Sequence, residues 1–176
     1  YTLETDDCKK EDWENNWRQY FKPAPVGEKL FIRPVWIDEY DPGNRKVINI
    51  EPGAAFGTGT HETTRLCLGA LEKYVGPGKT VLDVGCGSGI LAVASLLLGA
   101  KDAVGVDIDE LAVKAARENG ILNGFSEPRF RVVQGDLTKK ITGKYDVVLA
   151  NIVADAIISL SPGIKDFLVP GGVYIV

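Results

Sequence analysis

Short apolar runs of strand length recur through the second half of the chain, and segments with helical spacing separate them. The runs cover residues 80–84, 103–106, 130–133, 145–150 and 173–176. Between them, residues 90–98 and the segment from Asp109 to about Asn119 repeat their apolar positions as one face of a helix does. Strands that alternate with helices indicate βαβ units. We therefore predict an α/β, Rossmann-like fold with a doubly wound, mostly parallel sheet.

The first 50 residues follow other patterns. Trp13, Trp17 and Phe21 lie four residues apart, which places them on one face of a helix. We expect this face to pack on the main domain, and contact with a substrate is the alternative. Runs at 30–37 and 46–50 are rich in β-branched and aromatic residues and flank a turn cluster, so they predict a β-hairpin.

These patterns predict two parts in the chain. Residues 1–50 are expected to form a linker helix and a β-hairpin, packed on a ligand-binding domain of residues 51–176. The sequence contains no methionine, begins at Tyr1 and ends at Val176 inside a predicted strand. We therefore expect an excerpt whose sheet is incomplete at its carboxyl end.

A glycine- and threonine-rich loop at residues 51–61 precedes a further predicted helix of about 13 residues. Its apolar positions give an expected inner face of Leu66, Ala70, Leu71 and Tyr74. This helix would lead from the loop into the first strand of the main sheet.

Composition and charge narrow the class of protein. A net charge of −4 over 176 residues provides no electrostatic footprint for DNA. Cys8, Cys67 and Cys86 form no C-x-x-C pair and His61 is the only histidine, so we expect no metal site and reduced thiols in a cytoplasmic protein. The sequence has no apolar run long enough to span a membrane. We expect a monomer.

The turn after the first strand of the predicted sheet contains three glycines. Asp83 precedes Gly85, Gly87 and Gly89, at the place where an open α/β sheet usually binds its ligand. A dinucleotide fingerprint, G-x-G-x-x-G, needs its third glycine at position 90, where the chain has Ile90. The tighter spacing, with the preceding acid, resembles motif I of the class I methyltransferases that use S-adenosylmethionine (SAM). We therefore expect SAM here and disfavour a nucleotide-dependent dehydrogenase.

Acidic residues follow the next two strands. Asp107 lies 22 residues after Gly85, where a carboxylate can accept hydrogen bonds from both ribose hydroxyls of a ligand. A helix cap is the alternative for Asp107. If Asp107 binds the ribose, Ile108 would pack on the adenine ring. Asp136 stands where methyltransferases of this class often bind the adenine amino group, and a simple turn residue after Gly135 is the alternative.

Asn151 ends the fourth predicted strand, at the edge where ligands bind. Its amide needs hydrogen-bond partners when buried, so we predict a place in the site, with a local Asx-turn as the alternative. We expect its side-chain carbonyl to orient an attacking amine, which makes Asn151 the candidate catalytic residue. His61 is the tempting general base, but we favour a loop histidine that caps the next helix.

Several segments together resemble the ribosomal protein L11 methyltransferase family. The most specific of them is the stretch from Phe56 to Thr64. Others are Leu66-Cys-Leu68, the glycine loop, Val106-Asp-Ile-Asp109, Asn151-Ile-Val-Ala154, Arg33-Pro-Val-Trp36 and the upstream Asp12-Trp13 to Pro23.

The resemblance implies a class I fold that methylates amino groups of a large-subunit ribosomal protein, on a lysine side chain, the N-terminal α-amine or both. It implies SAM contacts at Thr64, Gly85, Asp107 and Asn151. The loop that contains Phe56 and Thr58 would lie over the cofactor. Family members carry a small substrate-recruiting domain before the linker, and this sequence does not include it.

Two alternatives stay open at the level of sequence. One is a SAM-dependent methyltransferase that acts on another protein, a nucleic acid or a small molecule. The segment Asn151–Ala154 lacks the prolines and the aromatic residue found in methylators of adenine and glutamine, which favours a flexible aliphatic amine. The other alternative is a non-catalytic SAM-binding module.

Overall fold

The computed structural model describes Arg18, residues 21–51, Gly59 and residues 61–176. The predicted helix face of Trp13 and Trp17, and the loop residues Phe56 and Thr58, lie outside the described residues. Phe21 packs edge-on against Trp36, with ring centroids 6.4 Å apart, and the Arg18 guanidinium lies 5.1 Å from the centre of the same indole.

Strands and helices alternate along most of the described chain. The strands are β1 (Ala24–Val26), β2 (Leu30–Pro34), β3 (Lys46–Ile50), β4 (Thr80–Val84), β5 (Asp102–Asp107), β6 (Phe130–Gln134), β7 (Tyr145–Leu149) and β8 (Leu168–Ile175). The α-helices are α1 (Glu62–Tyr74), α2 (Ile90–Leu97), α3 (Glu110–Leu122) and α4 (Ala154–Leu160), and a 3-10 helix covers Ser161–Phe167.

Five of these strands form one parallel sheet, in the order β6-β5-β4-β7-β8. The chain winds outward from β4 to one edge, and then returns to build the other half from β7 and β8. This reversal at β4 leaves a crevice at the carboxyl ends of the central strands. The predicted doubly wound α/β fold is confirmed.

Side chains of the sheet alternate between two apolar cores, because successive residues of a strand point to opposite faces. In β4, Val81 belongs to the core beneath α1, α2, α3 and the small sheet, and Leu82 and Val84 belong to the core beneath the 3-10 helix. Asp83 falls two residues after Val81 and so shares the face covered by α2. The polar Asp83 therefore stands at an apolar position of the central strand.

The first three strands form a separate small sheet, and here the predicted hairpin is wrong. β2 and β3 pair in parallel, with Leu30 opposite Lys46. The antiparallel pair is instead β1 with β2. The connection between β2 and β3 returns alongside β2, since Tyr40 stacks on Phe31 at 5.9 Å and its ring receives the Arg33 guanidinium at 4.8 Å. A turn cluster thus closes a parallel crossover, which local turn chemistry does not distinguish from a hairpin.

Helix α1 has the predicted length, but half of its predicted inner face is wrong. Leu66 is 71% exposed and Tyr74 is 48% exposed. The buried side chains are Thr64, Cys67, Leu68 and Leu71. The helix is rotated so that Thr64 and Cys67 are buried with Leu68 and Leu71, in place of Leu66 and Tyr74.

Two helix starts have side-chain caps. The His61 side chain accepts a hydrogen bond from the Thr63 amide at the start of α1. At the start of α3, a carboxylate oxygen of Asp109 accepts from the Leu111 amide at 2.9 Å. These caps satisfy amides that a helix leaves without partners. The capping interpretation of His61 is confirmed.

Candidate functional site

The glycine loop between β4 and α2 is a tight turn held by the neighbouring strand. The amides of Gly85 and Cys86 both donate to the Val106 carbonyl, at 2.8 and 3.0 Å, and the Gly89 amide donates to the Cys86 carbonyl at 2.8 Å. The φ angles of Gly85, Gly87 and Gly89 are 70°, 52° and 78°. Side chains rarely tolerate these left-handed conformations.

Close packing adds a second requirement for glycine at two of these positions. A Cβ atom on Gly85 would lie 2.2 Å from the Cγ2 atom of Ile152. A Cβ atom on Gly89 would lie 3.1 Å from the Cα atom of Ala116 in α3, which is backbone and cannot turn away. The glycines therefore let the loop fit between α3 and the segment that follows β7.

Asp107 ties the end of β5 to the glycine loop. One of its carboxylate oxygens accepts from the Gly87 amide at 2.8 Å, and the other accepts from the Asp109 amide at 3.0 Å. The cap of α3 is Asp109, so the alternative of Asp107 as a helix cap is not what the structure shows. Each carboxylate oxygen can accept a further hydrogen bond, so the group retains capacity toward a ligand.

Asp83 lies beneath the loop and is 1% exposed. Neither of its carboxylate oxygens has a hydrogen-bond partner of normal geometry among the described residues. Burial raises the pKa of Asp83 to about 7, and the charge of Asp107 adds to the shift, while the backbone amide of Ala92 opposes it. Burial also raises the pKa values of the nearby thiols of Cys67 and Cys86.

Asn151 follows β7 and contacts helix α1. Its Nδ2 atom donates to the Oγ1 atom of Thr64 at 3.0 Å. Thr64 is fully buried. One N–H group of the Asn151 amide is bound to Thr64, and the amide oxygen of Asn151 is the atom that can accept a hydrogen bond from a ligand. This contact joins residues 87 positions apart in the sequence.

These elements surround a cavity of about 550 Å³ at the carboxyl edge of the sheet. It is within the size range of sites for small molecules and cofactors. The described lining residues are His61, Thr63, Gly85, Gly87, Val106, Asp107, Ile108, Gly135, Asp136, Leu137, Asn151, Ile152, Val153 and Ala156.

Comparison with known proteins decides the family. The family described as ribosomal protein L11 methyltransferase (PrmA) matches residues 1–176. The chain belongs to the ribosomal protein L11 methyltransferase family. A curated ribosomal protein L11 methyltransferase of Clostridium botulinum (strain Eklund 17B / Type B) is 49% identical over 174 residues, which are 98% of this chain and 55% of that protein.

Two further relatives agree with this membership. A ribosomal protein L11 methyltransferase of Caldanaerobacter subterraneus subsp. tengcongensis is also 49% identical over 174 residues, 98% of this chain and 55% of its own. The crystal structure of a ribosomal protein L11 methylase from Lactobacillus delbrueckii subsp. bulgaricus superposes with a TM-score of 0.80 at 34% identity, covering 88% of this chain and 78% of that one. The chain thus spans about 55% of the length of the curated relatives.

Membership of the L11 methyltransferase family confirms the predicted resemblance, and SAM is the cofactor that this family implies. Six predicted residues line the cavity. They are Gly85, Gly87, Asp107, Ile108, Asp136 and Asn151. Three more lie behind it: Thr64 holds Asn151, Asp83 is buried under the loop, and Gly89 begins α2. Their roles toward a ligand stay predictions.

Asp136 occupies the cavity rim and pairs with Lys139, three residues later. Among the described lining residues of this family member, Asp107 and Asp136 carry the only carboxylates, and none is a lysine or arginine. Because Lys139 already pairs with Asp136, Asp107 is the lining carboxylate that favours a ligand with positive charge. An anionic acceptor gains no such attraction here.

Sequence reasoning missed the apolar side chains that line the cavity after β6 and β7. Leu137 has a φ of 48°, which is unusual for a side chain of this size. Ile152 and Val153 directly follow Asn151, and Val153 is 74% exposed. For Ile152 and Val153 the sequence offered one signal, which is their position just past a strand end at the ligand-binding edge. Nothing in the sequence marked Leu137.

The sequence predicts no metal site and no membrane span, and the structure adds one observation on each. Within residues 21–51 and 61–176, no three histidine, cysteine or acidic side chains are grouped as metal ligands would be. No helix in the described part of this family member has the length and apolar character needed to cross a bilayer.

Proposed function

We propose that this chain is the catalytic part of a SAM-dependent methyltransferase that methylates amino groups of ribosomal protein L11. The acceptor would be a lysine side chain, the N-terminal α-amine or both. The family and its named relatives support the substrate, and the cavity supports the reaction. We also propose a cytoplasmic location, because Cys67 and Cys86 are free, buried thiols of the kind that reducing compartments maintain.

The described residues fit SAM as the cofactor. Gly85 and Gly87 line the cavity with backbone alone, so no side chain of theirs stands between the loop and a ligand. Asp107 would accept the ribose hydroxyls, as its remaining acceptor capacity allows. Asp83 is a buried carboxyl group with no hydrogen-bond partner of normal geometry among the described residues, which suits a ligand that carries an ammonium and a sulfonium group. When bound, SAM supplies a methyl group that its sulfonium has already activated for in-line transfer.

The observation that carries the proposal is the orientation of Asn151. Its amide nitrogen is bound to Thr64, so its oxygen is the group available to an amine at the strand end. An amine nitrogen that donates one hydrogen to this oxygen is held in a fixed direction. Such orientation supplies much of the rate in a reaction whose chemistry belongs to the cofactor.

The attacking amine must be neutral, and a free lysine has a pKa near 10.4. The apolar side chains of Ile108, Ile152 and Val153 at the cavity favour the neutral amine because they cannot solvate an ammonium. His61 binds Thr63 through its Nδ1 atom as a helix cap. We therefore propose that the amine loses its proton to solvent water as it enters the cavity, without a dedicated base.

Transfer of labelled methyl groups tests the proposed function. The full-length protein is incubated with radiolabelled SAM and ribosomal protein extract from cells that lack it, and the products are separated into protein and RNA. Label in the band of L11 is the expected result. Label in RNA or in another protein overturns the proposed substrate, and SAM binding without any transfer indicates a non-catalytic SAM-binding module.

Binding of SAM alone is tested at Asp107. Replacing Asp107 with alanine should weaken SAM binding by about 1–3 kcal/mol, because two ribose hydroxyls and the Gly87 amide lose their acceptor. Asp109→Ala is the matched control, since it removes the cap of α3 without touching the glycine loop. Calorimetric titration measures both. An unchanged dissociation constant in Asp107→Ala removes this residue from the site.

A further inference from the structure

Asn119 in the last turn of α3 and Asn123, which caps the end of this helix, close the open edge of β3. The Asn123 side chain accepts from the Asn49 amide at 2.8 Å and donates to the Asn49 carbonyl at 2.7 Å. The Asn119 side chain accepts from the Glu51 amide at 2.8 Å and donates to the Glu51 carbonyl at 3.3 Å. Residues 49 and 51 face the same edge. The two side-chain amides thus replace the neighbouring strand that this edge lacks.

The two asparagines differ in one contact. The second hydrogen bond of the Asn123 amide nitrogen goes to the Asn119 carbonyl, within their own helix. The Asn119 amide nitrogen instead donates to the Ser88 carbonyl at 2.9 Å. Asn119 is 1% exposed and Ser88 is fully buried, so water does not compete for this bond. Asn119 therefore contacts the glycine loop, and Asn123 does not.

This contact fixes a particular peptide of the loop. The Ser88 carbonyl and the Gly89 amide belong to the same peptide plane, and the amide donates to the Cys86 carbonyl at 2.8 Å. Asn119 holds the carbonyl end of that plane. On the other side of Ser88, Asp107 holds the Gly87 amide. The loop is thus secured from α3 and from β5 at once.

A glycine-rich loop without such contacts has many conformations of similar energy, and a ligand must restrict them when it binds. Contacts that hold the bound conformation in advance increase affinity. We propose that Asn119 is a positioning residue for the cofactor, which pre-organises the Ser88–Gly89 peptide of the glycine loop. This proposal rests on the proposed function, in that the ligand is taken to be SAM.

The test compares Asn119→Ala and Asn119→Asp with the matched control Asn123→Ala. Asn119→Asp keeps an acceptor for the Glu51 amide but places an oxygen without a hydrogen against the carbonyls of Ser88 and Glu51. The measurements are the dissociation constant of SAM by calorimetry, the thermal midpoint, and amide hydrogen exchange of a peptide spanning the glycine loop without SAM.

Both Asn119 variants should bind SAM about tenfold more weakly, as expected for one lost buried hydrogen bond. Exchange in the glycine loop should accelerate in both. Asn123→Ala should lower the thermal midpoint, since it also frees the edge of β3, while its SAM affinity stays within about twofold of wild type and its loop exchange is unchanged. If Asn119→Ala does not fold, Asn119→Asp, which keeps an acceptor for the Glu51 amide, decides the comparison.

Equal losses of SAM affinity in the Asn119 and Asn123 variants would show a merely structural role and overturn the proposal, as would wild-type loop exchange in Asn119→Asp. Wild-type protein that binds no SAM overturns the proposed function instead. In that case the hydrogen-exchange data by themselves decide whether Asn119 positions the glycine loop, because this measurement needs no ligand.

Discussion

Asp83 combines a central position with an uncompensated charge. Its carboxyl group is buried, and its pKa is raised to about 7 from 3.8, chiefly by burial. The unfolded chain releases this proton near pH 3.8, so the folded state binds more protons between pH 3.8 and about 7. The free energy of unfolding therefore falls as the pH rises through this range.

We predict that Asp83→Asn loses this pH dependence, because an amide does not titrate. The stability of the variant relative to wild type should rise between pH 4 and pH 8 by up to about 4 kcal/mol. Urea unfolding of both proteins without SAM, at several pH values, measures the difference. Asp102→Asn, at the opposite end of the neighbouring strand, is the control. Parallel curves for wild type and Asp83→Asn would show that Asp83 ionises normally.

At the scale of elements, Asp146 joins the beginnings of β4 and β7. Its carboxylate accepts from the Thr80 amide at 2.9 Å and from the Thr80 hydroxyl at 3.2 Å, and it pairs with Lys79 at 2.9 Å. The hydrogen bond from Lys79 is the largest cause that lowers the pKa of Asp146, followed by that from the Thr80 amide. These contacts lie at the amino ends of the strands, away from the cavity.

Asp146→Ala should lower the free energy of unfolding by about 1–3 kcal/mol at neutral pH and leave SAM affinity unchanged. Because the pKa is lowered in the folded state, the contribution is fully present above the usual value of 3.8. It is lost as the pH falls through the folded-state pKa. Denaturant unfolding at pH 7 and pH 3 gives the two differences. If Asp146→Ala loses as much free energy of unfolding at pH 3 as at pH 7, the contribution of Asp146 is not ionic.

The elements show how far sequence patterns reach. Buried parallel strands such as β4 and β7 are apolar at most positions, so local composition identifies them. The pairing of β2 with β3 depends on a chain that returns past Tyr40, and on contacts of Asn119 and Asn123 with the β3 edge. These are long-range contacts, and the residues between two strands do not reveal them.

The candidate site likewise contains residues that sequence patterns predicted and residues that they did not. Glycine spacing and strand ends predicted Gly85, Asp107 and Asn151 at the cavity, where the structure places them. The rotation of α1 was not predictable from hydrophobicity, because Thr64 is buried while Leu66 is exposed. The hydrogen bond of Thr64 to Asn151 accounts for a buried threonine that an apolar pattern does not expect.

At the scale of the whole molecule, the described lining of the cavity comes from five distant segments of the chain. They are the start of α1, the loop after β4, the end of β5, the loop after β6 and the segment after β7. The doubly wound order brings the last four to adjacent strand ends. Helix α1 lies outside the main sheet, and it reaches the site through Thr64. The orientation of Asn151 therefore depends on the docking of α1 against the sheet.

This dependence gives a prediction for catalysis under the proposed function. Thr64→Val keeps the shape of the side chain but removes the acceptor for the Asn151 amide, so the oxygen of Asn151 loses its fixed direction. Single-turnover transfer at saturating SAM should slow by about tenfold to a hundredfold, as for a displaced orienting group. Thr64→Ser keeps the hydroxyl and should retain most of the rate.

Asn151→Ala should be at least as slow as Thr64→Val, and the double variant should add little because both changes remove one contact. A wild-type rate in Thr64→Val with slow transfer in Asn151→Ala would separate the two residues, and additive losses in the double variant would place Thr64 in an independent role.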